Sequence, residues 1–479
     1  MNFLFVLFII LNIIILSINK ELIFVELQSR HGARAPLELN ENNEDIIGEK
    51  WQYVGELTGV GQRMEYVLGL RNRYKYITKK EFLSEQYDPH ELLVYSTSLN
   101  RTLLSMTSQL QGLYPMYGKN VELLNQEQVE KSIPPIDIDY DEITNELKRI
   151  KNTPLPDFMQ IIPIHMINPS EKKINVFDYV DCKQNVEKVT KKNMEQKKTI
   201  KDLVQFFKDN YSQNLTENNI IPKNFEYNID NVSKICDAII VDSTEGKPMK
   251  NFFDKTKFDK SFLIEKCNEV LKINFRDKLY GDDDMKILFL EESTVLREMI
   301  HYMKQRVDDD INVTKIENVQ DYSRPKMVII SGHDTTVSAQ VIFILKMFKL
   351  PLSLYELPTY SAQTTFEVTR EEDNKNKKLT YSDYNVTFYF NDKVILNTTM
   401  DNFIKTVENK LWSASQIDQF CYEDIQDNDN SNYMIILIAT SAFTLLLLII
   451  IIILIVKITK KNKDDDVNSM DSDKLINEE

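Results

Sequence analysis

Tyr433 to Val456 is a run of 24 residues without a charge, and such a segment has few places to go. As a helix rising 1.5 Å per residue it is long enough to cross a hydrocarbon layer of ~30 Å. Lys457, Lys460, Lys461 and Lys463 follow it, while Glu423, Asp424, Asp427 and Asp429 precede it. That asymmetry predicts one C-terminal transmembrane helix over 433–456, with residues 457–479 as a cytosolic tail. Met1 to Leu16 is almost wholly apolar, no charge precedes Lys20, and Ser17 and Asn19 close the run. Residues 1–19 read as a secretory signal peptide, with an uncleaved anchor as the competing reading. The expected topology is a type I single-pass membrane protein whose body, residues 20–428, is lumenal or extracellular.

That body must fold by burying its own core. With 42% hydrophobic and 27% charged residues in a chain of 479, a disordered chain is excluded. A net charge of −15 argues against nucleic acid as a partner. Five histidines are too few for a multi-histidine metal cage, and no metal site or cofactor is expected. Cys182, Cys236, Cys267 and Cys421 form an even set suited to an oxidising compartment, and spacing leaves three pairings open. Asn210, Asn214, Asn231, Asn312, Asn385 and Asn397 head glycosylation sequons, as does Asn100.

Turn chemistry gathers at the two ends of the body: eight of the eleven glycines precede residue 120, and another is Gly332. Three short apolar runs stand there. Leu22–Leu27 stops at Gln28-Ser29, Leu92–Tyr95 at Ser96-Thr97, and Met327–Ile330 at Ser331-Gly332. Each reads as a buried parallel strand. A helix is expected from about Gly59 to Tyr76, with Thr58 as its N-cap. The middle carries helical periodicity, as in Leu263, Cys267, Val270 and Leu271, or Val295, Leu296, Met299, Ile300 and Met303. The expected fold is α/β: an open, mostly parallel sheet flanked by helices. Its core comes from about 20–115 and 320–428, with a mainly helical cap lobe inserted at about 116–319. The Lys-rich stretch 183–210 reads as a solvated helical face, and the acidic runs 282–284 and 308–310 as solvated charge rather than ligands.

Ligands of open α/β sheets bind beyond the carboxyl ends of the strands. Arg30-His31-Gly32-Ala33-Arg34-Ala35-Pro36 follows the first run, Asn100-Arg101-Thr102 lies just beyond the second, and His333-Asp334 follows the third. Arg30, Arg34 and Arg101 together carry too much charge for a carboxylate but suit a phosphate monoester. In such a cage His31 is a nucleophile, its protonated form disfavoured by the flanking arginines. Asp334 is the nearest acid to protonate a leaving alkoxide; a bound phosphate should raise its pKa, which predicts activity in acid. Five fixed positions in R-H-G-x-R-x-P make a chance match on the order of one in ten thousand. No G-x-x-x-x-G-K motif is present, and no cysteine precedes an arginine by six positions.

On these residues, together with Gly55–Gly61, Ser96–Thr102 and His333–Thr336, the sequence resembles the histidine acid phosphatases of the membrane-anchored lysosomal and prostatic type. The resemblance is strong over 22–114 and 326–345 and loose between them, and an Asn/Glu/Lys-rich insertion occupies roughly 117–155. It implies hydrolysis of phosphate monoesters through a phosphohistidine, with His31 as nucleophile, Asp334 as proton donor, and Arg30, Arg34, Arg101 and His333 binding phosphate. It also suggests that Cys182 pairs with Cys421, which would leave Cys236 to pair with Cys267. Two alternatives stand beside it: an inositol-phosphate (phytase-like) phosphatase of the same family, and a catalytically inactive glycosylated binding protein. Beyond a small phosphomonoester and the membrane, the partners weighed are a second copy of the chain and a sorting adaptor at Asp471, Leu475 and Ile476. The compartment is lysosome, endosome or cell surface.

Overall fold

The structure is a computed structural model. It describes residues 20–421 and 447–457, apart from 46–47, 116–122, 133, 135–147, 157–159, 168–185, 188, 190–197, 218–220, 222–223, 248–259, 281–284, 313–323 and 372–377. The signal-peptide segment, Cys182, most of the 117–155 insertion, residues 433–446 and the adaptor motif lie outside the described residues. One compact unit ends at Ile417, and a second begins at Asp418.

Seven strands form a single sheet: β1 (Lys20–Arg30), β2 (Leu92–Ser96), β3 (His165–Met166), β4 (Met327–Gly332), β5 (Gln363–Glu371), β6 (Tyr384–Phe390) and β7 (Lys393–Thr399). Their order is β3-β2-β4-β1-β5-β6-β7. Every pair from β3 to β1 is parallel, and every pair from β1 to β7 is antiparallel. The expectation of a mostly parallel sheet is therefore corrected: the sheet is mixed. The physical reason is a meander. Asn391 and Asp392 both take positive φ and turn β6 straight back into β7, so no crossover helix intervenes.

Alternation along β1 decides which layer each side chain meets. Helix α1 (Gly59–Arg73) packs on α2 (Asn100–Leu113), and Val25 and Leu27 face the core where Met106, Leu110 and Leu113 of α2 are buried. On the opposite face Glu26 and Gln28 meet α8 (Asp334–Met347): Gln340 Nε2 donates to Glu26, and Gln28 Nε2 donates to the Thr336 carbonyl. Arg30, on this second face, thereby points toward the start of α8. Thr58 caps α1 as expected, its Oγ1 accepting from the Gly61 N–H at 3.1 Å.

After the short α3 (Gln126–Lys131), the middle of the chain supplies α4 (Lys198–Glu217), α5 (Ile229–Thr244) and α6 (Lys260–Ile273). They pack on one another through Phe207, Tyr211, Ile235, Ile239, Leu263 and Val270. By contrast α7 (Lys286–Asn312), with Leu296, Met299 and Ile300 buried, packs on β1 and α8 and so covers the sheet. A further helix, α9 (Met400–Val407), follows the meander. The solvated reading of 308–310 is corrected in part: Asp309 is buried beside Arg324, and Asp310 accepts from Arg370 at 2.6 Å.

The expected Cys236–Cys267 disulfide is also corrected. Both are buried free thiols, on α5 and α6, with Cys236 hydrogen-bonded to Cys267. Cys421 is disulfide-bonded. In the second unit, residues 447–457 are helical with every side chain exposed. No helix among the described residues is long and apolar enough to cross a membrane.

Candidate active site

Because β2, β4 and β1 are parallel neighbours, their carboxyl ends open on one crevice. His31 leaves β1 with its N–H donating to the Gly332 carbonyl at 3.0 Å. That pairs the first motif's backbone to the strand carrying the second. The two imidazoles meet edge to face, with ring centroids 5.6 Å apart.

The His31 ring is buried, with Nδ1 2.8 Å from the Gly32 carbonyl oxygen. A carbonyl only accepts, so Nδ1 carries the hydrogen and Nε2 of the neutral ring keeps its lone pair. Burial is the main force lowering the His31 pKa well below its ordinary value; the charges of Arg30 and Arg34 add to it, and the Gly32 bond opposes it. His333 is pulled to about 4, first by burial and then by Arg101, and its Nε2 lies 3.1 Å from Thr97 Oγ1. Both shifts favour the neutral imidazole.

Arg30 is fixed from three sides. One terminal nitrogen donates to the Pro358 carbonyl at 2.7 Å, and the other meets Asp334 Oδ2 at 2.9 Å. Its guanidinium carbon stands 4.3 Å from the centre of the Tyr360 ring. Burial pushes the Asp334 carboxyl up, but Arg30, Arg34 and His333 outweigh that and hold it below its ordinary value. Without bound phosphate, Asp334 is a carboxylate.

Arg34 is held by a residue the sequence reading missed. Its terminal nitrogens grip both oxygens of Asp237, at 3.1 and 2.9 Å, and Asp237 comes from α5. Arg101 occupies the first turn of α2, where Arg34 and Arg30 act on it as like charges. Arg30 Nε and Arg101 Nε are buried without a hydrogen-bond partner among the described residues. An unmet buried donor costs about 1–3 kcal/mol, and charged donors of this kind suit a tetrahedral anion.

The glycines of the motifs have a packing reason. A Cβ on Gly32 would overlap the Gly61 carbonyl oxygen, and one on Gly61 would overlap the Ala33 carbonyl. The loop after His31 thus lies directly on the start of α1. Thr58 Oγ1 sits within hydrogen-bonding distance of the Ala33 carbonyl, at 3.2 Å, and of Glu245 Oε1, at 2.6 Å.

All six predicted residues, His31, Asp334, Arg30, Arg34, Arg101 and His333, thus come to one place. Tyr360, whose ring lies 6.0 Å from that of His31, and Asp237 join them unforeseen. His90, His165 and His301 lie elsewhere, against Asp88, Tyr95 and Tyr302. Among the described residues no group of three or more His, Cys, Asp or Glu could hold a metal.

Fold and crevice define a class: an α/β protein with a histidine-and-arginine anion site at the carboxyl ends of parallel strands. The model of the histidine phosphatase superfamily (branch 2) matches residues 21–391. Prostatic acid phosphatase of Bos taurus is 25% identical over 355 residues, 72% of each chain. Lysosomal acid phosphatase of Xenopus laevis is 41% identical over 108 residues, 22% of this chain and 24% of that protein. Among solved structures, the phytase of Citrobacter braakii superposes with a TM-score of 0.48 at 14% identity, over 77% of this chain and 85% of that one. The chain belongs to branch 2 of the histidine phosphatase superfamily.

Proposed function

We infer that the protein is an acid phosphatase hydrolysing phosphate monoesters, its body facing an acidic lumenal or extracellular space. The observation that carries the reading is the His31 ring, its Nδ1 tied to the Gly32 carbonyl so that Nε2 keeps its lone pair, set among Arg30, Arg34 and Arg101.

His31 Nε2 attacks phosphorus, a P–N bond forms, and the bond to the ester oxygen breaks. Arg30, Arg34 and Arg101 take the charge of the equatorial oxygens, and His333 contributes its ring as a fourth contact. Incoming phosphate competes with Asp334 for Arg30, so the carboxylate loses its counter-charge and gains an anion beside it. Both changes raise its pKa, so Asp334 takes up a proton from the acidic medium and becomes the acid that protonates the departing alkoxide. Water then attacks phosphorus, the P–N bond breaks back to His31 Nε2, and Asp334 takes the water's proton. Phosphate leaves, that proton passes to solvent, and the Arg30–Asp334 pair closes again.

The uncharged 433–456 segment and its lysine flank support a membrane-anchored body, and the exposed apolar helix 447–457 is consistent with that. Sequons at exposed Asn210, Asn312 and Asn397 are the accessible candidates for glycans. Asn100 donates to Glu56 at 3.0 Å and adjoins Arg101, so active enzyme should carry no glycan there; peptide mapping that found one would contradict the site.

The test is turnover of an aryl phosphate by the secreted body at pH 4–5, with tartrate and vanadate as inhibitors. Acid-favoured, inhibitable hydrolysis is expected. A body that binds phosphate without turnover would be a non-enzymatic relative and would overturn the reading.

A further inference from the structure

Resting on that reading, we propose that Asp237 sets which phosphate esters the site accepts: it restricts the enzyme to substrates with a single phosphate by countering one arginine of the cage.

Among the described residues Asp237 grips Arg34 at both terminal nitrogens, while Arg30 meets Asp334 and Arg101 lies near Glu56. When phosphate binds and Asp334 takes a proton, Asp237 still counters one arginine of the cage, which matches the cage to one phosphate. A second phosphate on the same substrate meets the Asp237 carboxylate. Asp237 is placed for this role: its side chain is 21% exposed while that of Arg34 is 4%, so the pair opens toward solvent on the aspartate side. It also shares the crevice with the reacting groups, since Asp237 and Asp334 both act on the Tyr360 hydroxyl.

The helix cannot easily carry it away. Along α5, Lys234 meets Glu38 at 2.8 Å before Asp237, and just past the helix end Glu245 lies 2.6 Å from Thr58 Oγ1. Both contacts reach the loop between His31 and α1. Removing the charge while keeping the shape leaves Arg34 in position but uncompensated, and the crevice then accommodates a second anion.

The experiment compares Asp237→Asn and Asp237→Glu with wild type, on p-nitrophenyl phosphate and on inositol hexakisphosphate at pH 5. Wild-type turnover of the monoester tests the underlying reading by itself. In Asp237→Asn the ratio of kcat/KM for the hexakisphosphate over that for the monoester should rise at least about tenfold, mainly through KM. Asp237→Glu should stay near wild type. A ratio unchanged or lowered in Asp237→Asn would overturn the proposal, and so would Asp237→Glu behaving like the amide. Calorimetric binding of pyrophosphate against phosphate, in a His31→Ala background with and without Asp237→Asn, reads the same preference without catalysis. If the amide variant does not fold, Asp237→Ser repeats the comparison.

Discussion

His31 Nδ1 donates to the carbonyl oxygen of Gly32, its own neighbour, at 2.8 Å, and that bond decides which nitrogen can do chemistry. The motif's glycine lets the loop lie against Gly61, and the carbonyl turned back toward the ring fixes its tautomer. Replacing His31 by Ala removes the nitrogen that the proposed mechanism uses to attack. We expect kcat on p-nitrophenyl phosphate to fall by about a thousandfold or more, with the melting temperature little changed. Activity within tenfold of wild type would contradict a histidine nucleophile.

Asp334 is tested by the leaving group. An alkoxide needs its proton in the transition state, whereas p-nitrophenolate leaves without much help. Asp334→Asn should therefore cost about 10²–10⁴-fold on an alkyl phosphate and far less on p-nitrophenyl phosphate. Equal losses on both esters would reassign Asp334 to binding.

Glu26 and Glu65 make stability depend on pH with a definite sign. Each is fully buried with no cation acting on it among the described residues, and burial raises each pKa from 4.5 to about 8. The folded state therefore binds protons more tightly than the unfolded chain between those values. The stabilisation is fully present below about pH 4.5, fades as pH rises toward 8 by at most about 1.4 kcal/mol per unit for each group, and is flat above. Melting temperatures of the secreted body should fall from pH 5 to pH 8, and Glu26→Gln should flatten that fall. A body that gains stability over the interval would contradict the assignment.

Gly61 and Gly59 lie two residues apart at the start of α1 and should respond oppositely to alanine. A methyl at Gly61 meets the Ala33 backbone, while one at Gly59 meets nothing within 4 Å. Gly61→Ala should lower both kcat and stability, the latter by about 1–3 kcal/mol, because the loop carrying Arg34 must shift. Gly59→Ala should leave activity unchanged. Thermal melts and steady-state rates on the two variants decide.

Three strands, and the convergence of six residues on one place, were legible because burial and chemistry coincide there: apolar runs, fully buried in β4, are followed within a few residues by arginine or histidine. The meander was not. Its strands, such as Thr364-Thr365-Phe366-Glu367-Val368-Thr369, mix threonine and charge with apolar residues, so no clean alternation marks them. Asp237 was hidden for another reason. It reaches Arg34 across 203 residues of chain, and no local motif announces it. The one available signal was a carboxylate inside the apolar stretch Ile235–Val241. The Cys236–Cys267 pairing rests on elimination rather than geometry, and the two thiols lie together hydrogen-bonded but without a disulfide.

The most direct test is to stop the enzyme during turnover of a ³²P-labelled monoester under alkaline denaturing conditions and map the label. Phosphate on Nε2 of His31, absent from His31→Ala, is the predicted result. Label on Nδ1, on a carboxylate or hydroxyl, or on no residue while product accumulates, would contradict the account.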